Sequence, residues 1–249
     1  MTDAAAATLK TATPKVGKTL AIAVLMGIAI ATIGLLPWVA LIRMNARVEP
    51  ELPWAAATTV CWLVVMLLWL GGAGWPRRAA AFRRLHLRLW RPEPGAWSGS
   101  KLASILGLIG AMAALNVLWV LMSSGQAPAD LSEYPTPAIS ISILIVGPMV
   151  AGVVEEAAFR GYMQRHLERI GPTFAILATS TVFTLAHATH GLNYLLAVAP
   201  GFFLASVVYG YLALKSGSIL PGMVLHFLGD LSYAYFVLLG GEPARLFAN

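Results

Sequence analysis

The sequence predicts an all-α polytopic membrane protein, and three observations predict it. Hydrophobic residues fill 58% of the 249 positions and charged residues only 11%, against about 25% charged in ordinary globular domains. Apolar stretches of the ~20 residues needed to span hydrocarbon as a helix recur along the chain. The segments between them alternate between rich and poor in Lys and Arg, as the positive-inside rule requires of a chain threaded back and forth.

The expected spans, in order, are 19–42, 54–75, 102–122, 138–159, 172–190, 194–214 and 218–239. The first is longer than the apolar core of a secretory signal and ends at Arg43, so it reads as an anchor that stays in the protein. The second precedes a basic loop holding Arg77, Arg78, Arg83, Arg84, Arg88, Arg91 and Lys101. That loop interleaves Phe82, Leu85, Leu87, Leu89 and Trp90 with its charges, so it either sets topology or lies on the membrane surface. The fourth is expected to continue as helix to Ile170, beyond the hydrocarbon. Gly147-Pro148 in the fourth and Pro200-Gly201 in the sixth are expected to kink their helices and open space beside them.

Loop charge orients the chain. Lys10, Lys15 and Lys18 lie before the first span, Arg165 and Arg169 after the fourth, and Lys215 after the sixth. The opposite loops carry Arg43 and Arg47 in the first and none in the third and fifth. The N-terminus is therefore expected in the cytosol and the C-terminus outside. Residues 1–18 read as a disordered cytoplasmic tail, 19–137 as N-terminal helices with the basic loop, 138–239 as a core, and 240–249 as a C-terminal tail. A formal charge of +6 is thereby explained by topology and gives no argument for nucleic acid. Cys61 is the only cysteine; it excludes an internal disulfide and a zinc–thiolate cluster, and reads as apolar packing.

Polar residues in three apolar segments carry the chemistry. Glu155-Glu156 ends a long apolar run, where a carboxylate near hydrocarbon costs at least ~2.5–3.5 kcal/mol and so faces a partner or a wet cavity. Glu156 and Arg160 share a helix face and can pair, which leaves Glu155 without a local partner. Phe183 and His187 share a face in the fifth span. His226 and Asp230 share one in the seventh, about 14 Å along the helix from Gly217 and near mid-bilayer, where packing alone is a poor reason for two ionisable groups. A packed or interfacial histidine at a helix end remains the plain alternative for His187.

Taken in order, Glu155-Glu156-x-x-x-Arg160, Phe183-x-x-x-His187 and His226-x-x-x-Asp230 resemble the motifs of the CPBP family of intramembrane proteases, the CAAX-processing and bacteriocin-processing proteases. The resemblance covers roughly residues 138–238. It implies an all-helical intramembrane endopeptidase, and its eukaryotic members cut after a prenylated cysteine near the substrate C-terminus. Peptide hydrolysis needs a base for water, donors for the oxyanion and an acid for the leaving amine. Glu155 suits the base, His187 the partner that holds or polarises the water, and His226 an oxyanion donor. Asp230 stands where several family members have Asn; it serves either as a protonated donor or as the group that orients His226. Glu156 and Arg160 read as supporting residues that position the others. No cofactor is firmly implied. Zn²⁺ stays open, with Glu155, His187 and His226 as the ligands it would use and Asp230 as an optional fourth; the His-Glu-x-x-His signature is absent.

One difficulty is geometric. Counted from Pro172, His187 lies ~22 Å from the cytoplasmic side, while Glu155 lies ~6 Å from it, so the two meet only if the fifth helix starts outside the bilayer, the spans tilt, or His187–Asn193 dips back. The expected partners are a membrane-embedded or lipidated peptide and the bilayer, with no nucleic acid. The expected location is a bacterial inner membrane, with the site open to cytosol; there a leader peptide or membrane protein suits as substrate better than a prenylated one. A proton-coupled transporter uses the same intramembrane Glu, His and Asp, and a catalytically silent membrane partner is the third class.

Overall fold

The computed structural model describes residues 16–70, 72–74, 98–123, 136–235 and 239. The described residues are helical with short turns: α1 (Val16–Val48), α2 (Trp54–Leu70), α3 (Gly99–Ser123), α4 (Pro137–Leu167), α5 (Pro172–Ala186), α6 (Leu192–Ser216) and α7 (Leu220–Tyr233). Two of them, α1 and α4, are long and apolar enough to cross a membrane, while Trp54–Trp69 and Leu102–Ala114 are shorter apolar helices. The expected disordered tail reaches into helix, since α1 already begins at Val16, and α1 continues past 42 to carry Arg43 and Arg47. The tail to residue 15, the basic loop over 75–97 and the C-terminal tail from 240 lie outside the described residues.

The helix at the centre is α4. Other helices bury 56% of its apolar stretch, against 17% for α1. Its start is fixed by Thr136, whose side chain accepts from the Ile139 amide and donates to the Pro50 carbonyl, with Pro137 at the first helical position. Pro148 would leave a carbonyl unpaired and crowd the preceding turn. The chain meets this by widening into a π turn over Ser142–Val146, where the Gly147 amide reaches back to the Ser142 carbonyl. A second π segment covers Glu156–Gln164, so the helix carrying the first motif is wide where its polar residues lie.

Three apolar clusters grip α4 on different faces. Phe159, Met163 and Leu167 pack with Ala23 and Ala31 of α1 and Ala175 and Phe183 of α5. Ala157 meets Ala213, Ile219 and Met223. Val146, Val150 and Val154 meet Ala56 and Leu63 of α2. In lipid the surroundings are as apolar as the side chains, so close packing of small residues and buried polar contacts must hold helices together. The buried stripe Ala23, Gly27, Ala31 on α1 supplies the first of these.

Buried polar turns supply the second. Asn45 is fully buried and ties α1 to α2, donating to the Glu49 and Leu52 carbonyls at 2.7 and 2.8 Å and accepting from the Ala55 amide at 2.9 Å. The α6–α7 turn was expected as a cytoplasmic loop, yet Ser216–Ile219 is buried. Gly217 takes a left-handed φ of 66° there, and Ser216 and Ser218 satisfy the backbone: the Ser216 hydroxyl donates to the Leu212 carbonyl and accepts from the Ser218 amide, while Ser218 Oγ accepts from the Leu220 amide. Cys61, expected as packing, faces outward from α2 instead.

Candidate active site

A helical hairpin removes the depth difficulty. α4 runs on as one rod to Leu167, ~18 Å beyond Glu155 at 1.5 Å per residue, and α5 turns back beside it from Pro172. Phe159 and Phe183 are each twelve positions from Gly171, and their rings meet edge to face at 5.2 Å. The sequence estimate placed Pro172 at the membrane face; the hairpin instead begins a dozen residues past Glu155. α5 ends as α-helix at Ala186, where the expected span ran to 190, and His187–His190 form a 3-10 turn before Gly191 breaks the chain at φ 103°.

At the level of those rings, α4, α5, α6 and α7 bring a charge network together. Glu156 and Arg160 are both fully buried, and Arg160 Nη1 donates to Glu156 Oε1 at 2.8 Å. His226 Nδ1 lies 3.0 Å from the same carboxylate oxygen. A carboxylate at that distance accepts, so Nδ1 carries the proton and Nε2 is the nitrogen turned to the remaining acids. Nε2 lies 3.8 Å from Glu155 Oε2 and 3.6 Å from Asp230 Oδ2. These are ion-pair rather than hydrogen-bond separations. Exposure rises outward across the cluster: side chains of Glu156 and Arg160 are 0% exposed, His226 7%, Glu155 14% and Asp230 42%. The network is thus closed behind His226 and open at Asp230.

Aromatic rings frame it. The Tyr209 ring stacks on His226 with centroids 5.4 Å apart, and Phe183 meets His226 edge to face at 5.9 Å. The Arg160 guanidinium lies over Phe183 at 4.4 Å and over Tyr209 at 5.2 Å. His187 joins through its neighbours, with its ring 4.9 Å from Phe183 and 4.4 Å from Phe202. Its Nδ1 is 2.9 Å from the Phe183 carbonyl. A carbonyl only accepts, so Nδ1 donates and Nε2 of the neutral ring is an acceptor.

The structure therefore brings Glu155, Glu156, Arg160, His226 and Asp230 together directly and places His187 one ring away. Sequence reasoning paired Glu156 with Arg160 but missed its bond to His226, seventy positions on. It also missed the layer on α6, where Ser206 accepts from Arg160 Nη2 at 2.8 Å and the Gly210 carbonyl accepts from Gln164 Nε2 at 2.8 Å. One signal could have shown it: Glu156, Arg160 and Gln164 are four apart, a polar stripe that needs a polar partner helix. Among the described residues no group of three or more His, Cys, Asp or Glu is arranged to hold a metal ion. The zinc set considered above, Glu155, His187 and His226, does not form such a group.

The fold and this cluster define a class: an all-helical protein whose buried carboxylates, guanidinium and imidazole lie among apolar helices, pointing to an integral membrane protein. Residues 137–232, from α4 into α7, match the family model described as "Rce1-like: Type II CAAX prenyl endopeptidase Rce1-like". The match supports assigning the chain to the CPBP/CAAX protease family and, with it, a CAAX-type intramembrane endopeptidase in general. Comparison with curated proteins and with solved structures gave no match.

Proposed function

We propose that this chain hydrolyses a peptide bond in a membrane-bound or lipidated substrate, with Glu155 and His187 activating water and His226 and Asp230 stabilising the oxyanion. The observation that carries this reading is the convergence of Glu155 and Asp230 on His226 Nε2, with Glu155 Oε2 buried and without a hydrogen-bond partner and Asp230 at the exposed edge of the network. An oxygen about 2.8 Å from each of two groups bridges a gap of 3.6–3.8 Å, the separation a shared reacting oxygen requires.

Each residue then has one task. Glu155 takes a proton from water, whose other hydrogen is accepted by Nε2 of His187, and the water oxygen attacks the carbonyl carbon. The carbonyl oxygen becomes an oxyanion, met by an N–H at Nε2 of His226 and by Asp230. A ring that also donates from Nδ1 is then an imidazolium, and Glu156 balances its charge, as a carboxylate behind a catalytic histidine does. The proton held by Glu155 passes to the amide nitrogen, the C–N bond breaks, and acid and amine leave. The site opens toward cytosol and the protein resides in a bacterial inner membrane on this reading, where leader peptides and membrane proteins are the available substrates.

The test is Glu155→Gln. The substitution is nearly isosteric and removes the basic oxygen, so purified variant should lose cleavage while keeping its helical content and thermal midpoint in detergent. Cleavage at a rate comparable with the parent would eliminate Glu155 as the base.

A further inference from the structure

Ser206 lies on α6, a helix that carries none of the three motifs, and its side chain meets the network at a single point. It is 1% exposed, and it accepts from Arg160 Nη2 at 2.8 Å. Arg160 has few other anchors. Its Nη1 is used by Glu156, and its Nε is buried without a hydrogen-bond partner. A guanidinium held only at Nη1, by a residue one turn away on its own helix, can pivot about that bond. The bond to Ser206 comes from another helix and removes the pivot, while Phe183 and Tyr209 set the guanidinium plane. The fixed Arg160 in turn fixes Glu156 Oε1, the oxygen that His226 Nδ1 shares. Glu156 Oε2 is buried with no hydrogen-bond partner, so the carboxylate is held from one oxygen alone.

We propose that Ser206 is a positioning residue for this site, acting through Arg160 and Glu156 to hold the His226 ring with Nδ1 inward and Nε2 toward Glu155 and Asp230. Tyr209, one turn further along α6, caps the same ring by stacking, so α6 supports the imidazole from behind and from one face. The proposal rests on the peptidase reading for its effect on turnover, but its structural content does not.

The experiment uses the full chain in detergent with ¹⁵N-labelled histidine, His226 being assigned by the resonances lost in His226→Gln. In the parent, Nδ1 and Nε2 should give one set of shifts, that of a ring bonded at Nδ1. Ser206→Ala should shift or split this set. With a farnesylated CAAX peptide as the probe substrate, it should lower kcat about tenfold, the size of one charge-assisted hydrogen bond, and leave KM unchanged. Ser206→Thr keeps the hydroxyl and should retain both the spectrum and the turnover. Should the alanine variant fail to fold, Ser206→Cys, which conserves volume, is read in its place. Unchanged His226 shifts in the Ala or Cys variant overturn the proposal whatever turnover does. A parent protein that leaves the peptide intact counts against a prenylated peptide as its substrate, and the ¹⁵N comparison then decides the positioning role alone.

Discussion

His226 stands between two kinds of carboxylate, and the difference between them assigns their work. Glu156 is fully buried, bonded to Nδ1 and paired with Arg160. Removing one partner of such a pair leaves a buried charge, typically at a cost of about 3–5 kcal/mol. Asp230 is half-exposed at Nε2, on the open side. From the four-residue spacing alone, Asp230 was as good a candidate as any to orient the ring. On the reading proposed above, Glu156 holds Nδ1, and Asp230 is left to act at the reacting oxygen as a protonated donor. Asp230→Asn should therefore be tolerated to within about tenfold in kcat, while Asp230→Ala should lose about 10²–10³, the usual effect of one oxyanion donor. The double variant with His226→Ala should be little worse than the poorer single one, because residues acting as a unit are not additive. Measured kcat for Asp230→Asn, Asp230→Ala, His226→Ala and the double variant checks this, and a severe loss in Asp230→Asn would show that the carboxylate charge itself is needed. The motif residues were readable because ionisable groups in apolar runs stand out. The Glu156–His226 bond was not, because nothing local in sequence links two residues on different helices.

Elements meet closely at this site, and α7 approaches α4 through a glycine. A Cβ at Gly222 would lie 2.7 Å from Glu156 Oε2 and 3.4 Å from its carboxyl carbon. A flexible side-chain end normally gives way to such an intrusion. Here Oε1 is held by Arg160 and by His226, so the carboxylate moves only by disturbing both. Gly222→Ala should lower turnover at least tenfold and destabilise the fold by about 1–3 kcal/mol, the usual range for overpacking. Gly107→Ala on α3, where the added methyl meets nothing within 4 Å, is the control and should match the parent in both. Turnover and thermal midpoint in detergent decide it; parental turnover in Gly222→Ala would mean that Glu156 need not stay in place. The helix order was legible from apolar runs and proline positions. Helix depth was not. The sequence carries the fourth helix on to Ile170 but takes Pro172 as the membrane face; the turn into α5 lies a dozen residues past Glu155, and that one boundary moves His187 from an apparent distance of a bilayer half to the far side of one phenylalanine.

At the scale of the molecule, threading through the membrane joins the loop charges to the site. α4 must run from outside to inside for Glu155 to face cytosol, since the Leu167 end of that helix leads to Arg169 and the turn into α5. That direction follows if α1, α2 and α3 each cross once and the N-terminus is cytoplasmic. An odd total of seven crossings then puts the C-terminus outside. The charges agree: Lys18 precedes most of α1, seven Lys and Arg residues lie between the second and third spans, and Lys215 ends α6, while the segments joining spans three to four and five to six carry none. Only α1 and α4 pass the length and hydropathy test among the described residues, so crossing by the shorter helices is the part most worth measuring. A reporter active only in the cytosol should be active when fused after Ser100 and silent when fused after Asn249, and an external reporter should give the reverse. Finding both fusion points on one side would make the number of crossings between them even, turn α4 or a later helix around, and move the open side of the site away from the compartment proposed here.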